Sequence, residues 1–356
     1  MKTAYAGTVM IIVIVAVSAF SLSVGPVVAA GPPDDLEMHL GFLKERLDDV
    51  DSAVQSVALD ALATYDITSQ LHRVRKAVSS SSTLLKNTGL FHIKGRADQD
   101  TLEKAKEIVL CVAPKANEDD GGFDSVTESL AVRVLLASND AKMQEFAVAH
   151  MRSALKNDSP PFTRWACLID TVAENRVASL MESIKESSND DQRQTYAVVS
   201  LAQLGDKAAI EKLKLTVASG TADGLWWRLS GDTKLLEALD IDLNKFRSTI
   251  RSHPFQSATK RGLLLAYFGE ADGLLPLLRR LGNGSDFPIG TDTSDVSALL
   301  VAAGKYGDGR FVQPIKIVRE KTSDGILRLE CSAAIVQIIA RDIRTQQQFL
   351  DGKERR

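Results

Sequence analysis

Aromatic side chains make up only 6% of the 356 residues. That is too few for an all-β sandwich, and the plentiful Ala and Leu favour helices packed through small and branched side chains. Cysteine is equally scarce. Cys111, Cys167 and Cys331 lie in the apolar contexts IVLCVA, RWACLI and LECSAAIV, an odd number at wide spacing that fits neither a disulfide framework nor a metal knuckle and reads as three buried free thiols. The histidines His39, His72, His92, His150 and His253 show no HxH, HxxH or HExxH spacing, so no metal site is expected and the imidazoles are assigned to surface or edge positions. GxSxG, GxxxxGK[ST] and a dinucleotide-binding glycine pattern are missing as well, so neither a catalytic site nor a cofactor is expected. There is no excess of basic charge: the formal net charge is −3, which argues against general nucleic-acid binding, since that needs a basic surface to neutralise phosphates.

What is present begins with an apolar leader. Lys2 is the only charged side chain before Asp34, and Val9 to Phe20 (VMIIVIVAVSAF) is an uninterrupted apolar run of signal-peptide length. Gly25 and Pro26 break it, and Val28-Ala29-Ala30 places small residues where signal peptidase requires them, so cleavage after Ala30 is expected. The competing reading extends the segment from Ala6 to Val24 as an uncleaved membrane anchor. On either reading the bulk of the chain is exported, to the periplasm or the cell exterior, and touches a membrane only through residues 1–30.

The body of the chain repeats a phrase. Around Gly205, Gly269 and Gly307 the residue four before is Leu201, Leu265 or Ala303, the residue five after is Ile210, Leu274 or Val312, and eight after stands Leu213, Leu277 or Ile315. A weaker copy surrounds Gly231, with Trp227, Leu236 and Leu239. Each glycine is followed by an acid: Asp206, Asp232, Glu270 or Asp308. Glycine suits a left-handed helix end because a Cβ there clashes with the backbone, and the acid suits the start of the next helix, where it caps free N–H groups. Helix pairs with one apolar face each cannot bury it alone, and must stack on their neighbours.

In these residues the chain resembles the HEAT-repeat family, in particular the phycobilisome-lyase-type HEAT-like repeats, whose helix, Gly-Asp, helix pattern is met by Leu201 to Val217. The resemblance is closest over residues 191–218 and 258–318. Elsewhere Asn139 and Asn175 stand where glycine would, a mild departure because Asn tolerates the left-handed turn. The resemblance implies an all-α fold, a right-handed α-solenoid of stacked antiparallel helix pairs like an armadillo superhelix, with mostly protein-binding roles and a minority of enzymes. The expected organisation is a leader over 1–30, seven to eight helix pairs over 34–350 and a polar tail over 351–356, with Ile326 to Phe349 as the terminal cap.

Several local patterns have competing readings. SSSSTLLKNTGLFHIKGRADQ (79–99) and GNGSDFPIGTDTS (282–294) read as loops. Leu36, Leu40, Leu43, Leu47, Val50, Val54, Val57 and Ala61 form a heptad seam that would suit a dimeric coiled coil, but the pair Asp51-Ser52 favours a break into two antiparallel helices. Ser153-x-x-Lys156, Ser187-Ser-Asn189 and Lys321-Thr-Ser323 stand in the order of a penicillin-recognising serine enzyme, yet that chemistry needs the last element on a strand. NEDDGGFDSVTE (117–128) has Asp119, Gly122 and Glu128 spaced as in a calcium loop; the better account is a capping box of Ser125 with Glu128. Trp226-Trp227 reads as core filling.

One surface feature points to a partner. Outward positions of the second helices carry Lys212, Lys214, Arg279, Arg280, Lys316, Arg319 and Lys321 on an otherwise acidic chain. In HEAT-like solenoids the second helices line the inner face, so stacking gathers these cations into a stripe for an acidic partner, such as a protein, an anionic glycan or lipid headgroups. Dipole compensation at helix C-termini competes with that reading. The expectation is an exported, non-enzymatic scaffold that binds protein. The alternatives are a HEAT-like lyase or transferase and a tethered protein dimerising through residues 36–61.

Overall fold

The computed structural model describes residues 33–354 apart from 117–122, 157–159, 219–225, 230–232, 241, 253–257 and 283–292. The leader, Gly231, His253, the tail beyond Glu354, most of the 282–294 stretch and the side chains of Trp226 and Trp227 therefore lie outside the described residues. The fold is all-α, with no strand among the described residues.

Those residues form two compact units. Of the described residues, one comprises those of 72–243; the other joins 33–71 to those of 244–354. The first unit holds α4 (Thr83–Ile93), α5 (Gln99–Ala116), α6 (Phe123–Leu136), α7 (Ala141–Lys156), α8 (Phe162–Glu174), α9 (Met181–Ser187), α10 (Asp191–Gln203), α11 (Lys207–Ala218), α12 (Trp226–Leu229) and α13 (Thr233–Ala238). The second holds α1 (Pro33–Glu45), α2 (Ser52–Tyr65), α14 (Leu243–Ser252), α15 (Ala258–Tyr267), α16 (Leu275–Gly282), α17 (Thr293–Tyr306), α18 (Val312–Lys321) and α19 (Gly325–Glu354). Helix α3 (Ile67–Val78) carries the boundary.

Within each unit alternate helices pack on one another. In the first, α4, α6, α8 and α10 form one layer while α7 and α9 pack in a second. Helix α6 is buried along its length from Ser125 to Leu135, and α8 from Arg164 to Ile169. In the second unit α15, α17, α19 and α2 form one layer, and α16 packs on α18. The repeated apolar slots face these cores: Leu213, Leu274, Ile315 and Ala303 have no exposed surface, each larger side chain contributing about 1.5 to 3 kcal/mol.

The turns explain the repeated phrase, with corrections. Gly205 and Gly269 are left-handed, at φ +89° and +86°. Both helix ends close the same way: Gly205 N–H donates to Ala202 O and Asp206 N–H to Leu201 O, as Gly269 and Glu270 do to Ala266 and Leu265. Asp206 then caps α11 by accepting from Ala209 N–H at 2.8 Å. Glu270 makes no capping bond and pairs instead with Arg251. Gly307 is not left-handed. A Cβ there would stand 2.5 Å from Ala303 O and 2.8 Å from the Phe311 ring, so close approach requires the glycine. Neither Asn139 nor Asn175 is left-handed; after α8 the turn is taken by Arg176, at φ +53°, with the same pair of closing bonds from Arg176 and Val177.

Two larger expectations are overturned. The 79–99 stretch contains helix α4, because the first of its two glycines serves packing rather than a turn: a Cβ on Gly89 would meet Val78 N at 2.6 Å and Val74 O at 2.9 Å, and only Gly95, after the helix, is left-handed, at φ +73°. Helix α19 is no polar cap. Its Cys331, Ile335, Val336, Ile338 and Ile339 are fully buried between α17 and the chain's own α1 and α2. The heptad seam is interrupted where Asp51 caps α2, accepting from Ala53 N–H at 2.8 Å, and Val50 is left exposed.

Candidate binding surface

The fold divides the seven cations. Lys212 and Lys214 lie on α11 in the first unit, Lys212 exposed and Lys214 paired with Glu211 at 3.3 Å. Arg279 and Arg280 end α16, and Lys316, Arg319 and Lys321 lie on α18, all in the second unit. Two of these five are used inside the unit. Lys316 Nζ donates to Asp35 Oδ2 of α1 at 2.6 Å, and Arg319 donates from Nε to Ser332 Oγ at 2.9 Å with its guanidinium 4.7 Å from the Phe42 ring centroid. They hold the N-terminal helix to the C-terminal ones. Arg279, Arg280 and Lys321 are exposed and form no ion pair with a described residue.

Beside Arg279 the helices α16 and α18 leave a cleft of about 360 Å³, lined by Arg279, Gly282, Arg310, Gln313, Pro314 and Ile317. Residues 310, 313, 314 and 317 follow helical spacing, so one face of a single helical segment supplies most of the wall. Arg310 is oriented by its neighbours: its Nε and Nη2 donate to Asp308, and Nη2 also to Asp272 Oδ1 at 2.7 Å. The arrangement can receive an anionic group beside an apolar one. Arg310 and Gln313 were not found by sequence reasoning, although RFVQPIKI carries the spacing.

Charge elsewhere is buried and answered internally. Glu128, with no exposed surface, accepts from Arg164 Nε at 2.8 Å and Nη2 at 2.6 Å, and lies 2.7 Å from His150 Nε2. Burial would raise its pKa, but the hydrogen bonds from Arg164 and His150 outweigh it and hold the carboxyl below its ordinary value. The expected capping box is thereby corrected: α6 starts at Phe123, Ser125 is already inside the helix with its hydroxyl unpartnered, and Glu128 reaches across to α8. Nearby, Asp170 receives Tyr196 Oη at 2.7 Å and pairs with Arg228, whose guanidinium lies 3.7 Å from the Tyr196 ring centroid.

In the second unit two little-exposed titratable groups meet a single hydroxyl each among the described residues. His39, expected at the surface, has no exposed area; its Nδ1 is 3.2 Å from Ser332 Oγ and its Nε2 has no partner among the described residues. Burial, then the charges of Arg319 and Lys316, lower its pKa to about 4, against a smaller opposing effect of Asp35. The half-buried Glu330 accepts from Ser297 Oγ at 2.7 Å, its one hydrogen bond among the described residues, and desolvation raises its pKa to about 7. Of the thiols, Cys167 and Cys331 are buried, burial pushing each up to about 12, but Cys111 is exposed, contrary to expectation.

The serine-enzyme pattern maps onto helices and the ends of helices, with Asn189, Thr322 and Ser323 just beyond them. Ser153 and Lys156 lie in α7, Lys321 ends α18, and Ser187 is buried, its hydroxyl accepting from Trp165 Nε1 at 2.9 Å. Among the described residues no group of three His, Cys, Asp or Glu side chains is placed to hold a metal ion, and no helix is long and apolar enough to cross a membrane. Comparison of the chain with family models, curated proteins and solved structures finds no match.

Proposed function

We propose that this chain is an exported HEAT-like repeat scaffold that binds an acidic protein partner and catalyses no reaction. The finer fold belongs to the same proposal: antiparallel helix pairs stacked as a right-handed α-solenoid. Three features support it. Alternate helices share layers within each unit, the Gly-acid turn recurs with the same closing bonds at Gly205 and Gly269, and the apolar leader Val9 to Phe20 precedes a run of small residues.

The observation that carries the binding role is the exposure of Arg279, Arg280 and Lys321 without counter-ions among the described residues, on a chain of net charge −3. Such charges steer an acidic partner and confer salt-sensitive association. The test is retention of the purified chain on an anionic matrix at low and high salt. Replacing Arg279, Arg280 and Lys321 by Ser is expected to abolish retention at low salt while leaving the melting midpoint within about 2 °C, since exposed substitutions change stability little. Unchanged retention would refute the reading. N-terminal sequencing of the mature chain tests export: a first residue of Gly31 is expected, and an intact Met1 would favour a tether.

A further inference from the structure

The cleft between α16 and α18 has two chemically distinct parts. Its floor is apolar. Gly282 lets α16 approach α18 so closely that a Cβ on it would stand 2.9 Å from Ile317 Cγ2, and Pro314, in the first turn of α18, is buried behind the half-buried Ile317. Its rim is cationic and amide-bearing. Gln313 and Arg279 are exposed, and Arg310 is fixed on Asp308 and Asp272, which orient its guanidinium and offset its charge. Arg279 is the rim cation with no counter-ion among the described residues.

A ligand for this site must bring a carboxylate to Arg279 and an apolar group to Pro314 and Ile317 within a cleft of about 360 Å³. An extended peptide does so with two side chains two residues apart, which share one face, and its backbone amides suit the Gln313 carboxamide, which both donates and accepts. A sulfated or uronic glycan offers the charge without the apolar group, and a flat bilayer surface does not enter a furrow between two helices.

We propose that the furrow between α16 and α18 docks an extended acidic segment of a partner protein, one apolar side chain seated on Ile317, which Pro314 backs, and a carboxylate two residues away, on the same face of the segment, on Arg279. The assignment rests on the binding-scaffold reading above and deepens it by naming the place and the peptide chemistry. Guanidinium suits it better than ammonium because its fork takes a carboxylate through two parallel bonds.

The test is fluorescence anisotropy of the purified chain with three labelled synthetic peptides. One places Leu two residues from Asp or Glu with Ser between them, so that both share a face, a second replaces Leu by Ser, and a third replaces the acids by Lys. The Leu peptide is expected to bind at least about tenfold tighter than the Ser peptide, the effect of burying one aliphatic side chain, and the Lys peptide not at all. Arg279→Glu, and Gln313→Trp as a neutral plug, are each expected to weaken the Leu peptide at least about tenfold, whereas Lys142→Glu, on the exposed face of α7, leaves it unchanged. Circular dichroism melts matching the parent confirm that the variants are folded.

If Arg279→Glu and Gln313→Trp bind the Leu peptide as tightly as the parent, the cleft assignment fails while the acidic-partner reading stands. A sulfated glycan or vesicles of anionic phospholipid binding more tightly than the Leu peptide, with loss in the same variants, would overturn the peptide as occupant. No binding of any anionic probe would sink both.

Discussion

The two units differ in how their least exposed titratable groups are partnered. In the first, carboxylates are held by guanidinium groups and further side chains: Glu128 by Arg164 and His150, Asp170 by Arg228 and Tyr196, Glu174 by Arg133 at 2.9 Å. In the second, beside the part-buried pair of Lys316 and Asp35, the buried His39 and the half-buried Glu330 meet the single hydroxyls of Ser332 and Ser297, while Arg279, Arg280 and Lys321 remain outside. A complete set keeps its charge over a wide pH range but fails badly when one member is removed. A group held by a hydroxyl alone is biased towards its neutral form, and its protonation state sets the stability of what surrounds it.

The largest difference should follow from breaking a set. Glu128→Ala strands Arg164 in a dry interior and is expected to cost about 3–5 kcal/mol, read as an earlier urea transition whose hydrogen exchange maps to α6 and α8. A loss below about 1 kcal/mol would mean that water reaches Arg164. Because the folded pKa of Glu128 lies below its ordinary value, its contribution is present above that ordinary value and fades as pH falls through the lower, folded one.

Titration of the second unit gives the next largest effects, with opposite signs. His39 has a folded pKa of about 4 against an ordinary 6.5, so the unfolded chain binds the proton first and stability falls as pH drops from 6.5 towards 4, by about 3 kcal/mol at the limit. Arg319 and Lys316 face this imidazole and disfavour its charge; Asp35 favours it. His39→Gln should flatten that window, and an unchanged slope would place the imidazole in contact with water. Glu330 has a folded pKa of about 7 against 4.5, so its protonated form stabilises at low pH and the benefit disappears as pH rises through 7. Glu330→Gln should therefore stabilise the protein above pH 7 and leave it unchanged near pH 4; equal effects at both would contradict the assignment.

The smallest effects concern the turns. Gly269→Val should cost about 1–2 kcal/mol, because a β-branched residue is poorly suited to φ +86°. Arg176→Gly, at the equivalent turn of the first unit, should gain a fraction of that. Melting midpoints moving in the same direction would break the equivalence.

These turns also show what was legible in the sequence. Gly205 and Gly269 announce themselves because backbone conformation is a local property and only glycine fits it without strain. The break at Asp51 was legible for the same reason, a cap being local. Gly89 misled because its purpose is the close approach of a helix remote in sequence, which no local pattern encodes. Glu128 preceded by a polar stretch looks like part of a cap, and only the three-dimensional meeting of α6, α7 and α8 brings Arg164 and His150 to it. The meeting of α19 with α1 joins residues 293 positions apart, His39 and Ser332, a separation no local repeat pattern spans. Of the cation stripe, charge and helix were readable, but not that Lys316 and Arg319 turn toward Asp35 and Phe42.

That division of the cations is the central claim, and paired double variants test it most directly, each measured for unfolding midpoint and for binding of the acidic Leu peptide. Arg279→Ser with Arg280→Ser is expected to lose binding at least about tenfold with its midpoint unmoved, whereas Lys316→Ser with Arg319→Ser lowers the midpoint, by freeing α1 and leaving Asp35 and Ser332 without their donors, and leaves the affinity of the folded chain within about twofold. If the two pairs change both quantities alike, the cations are not divided between an internal and an external task, and the account fails.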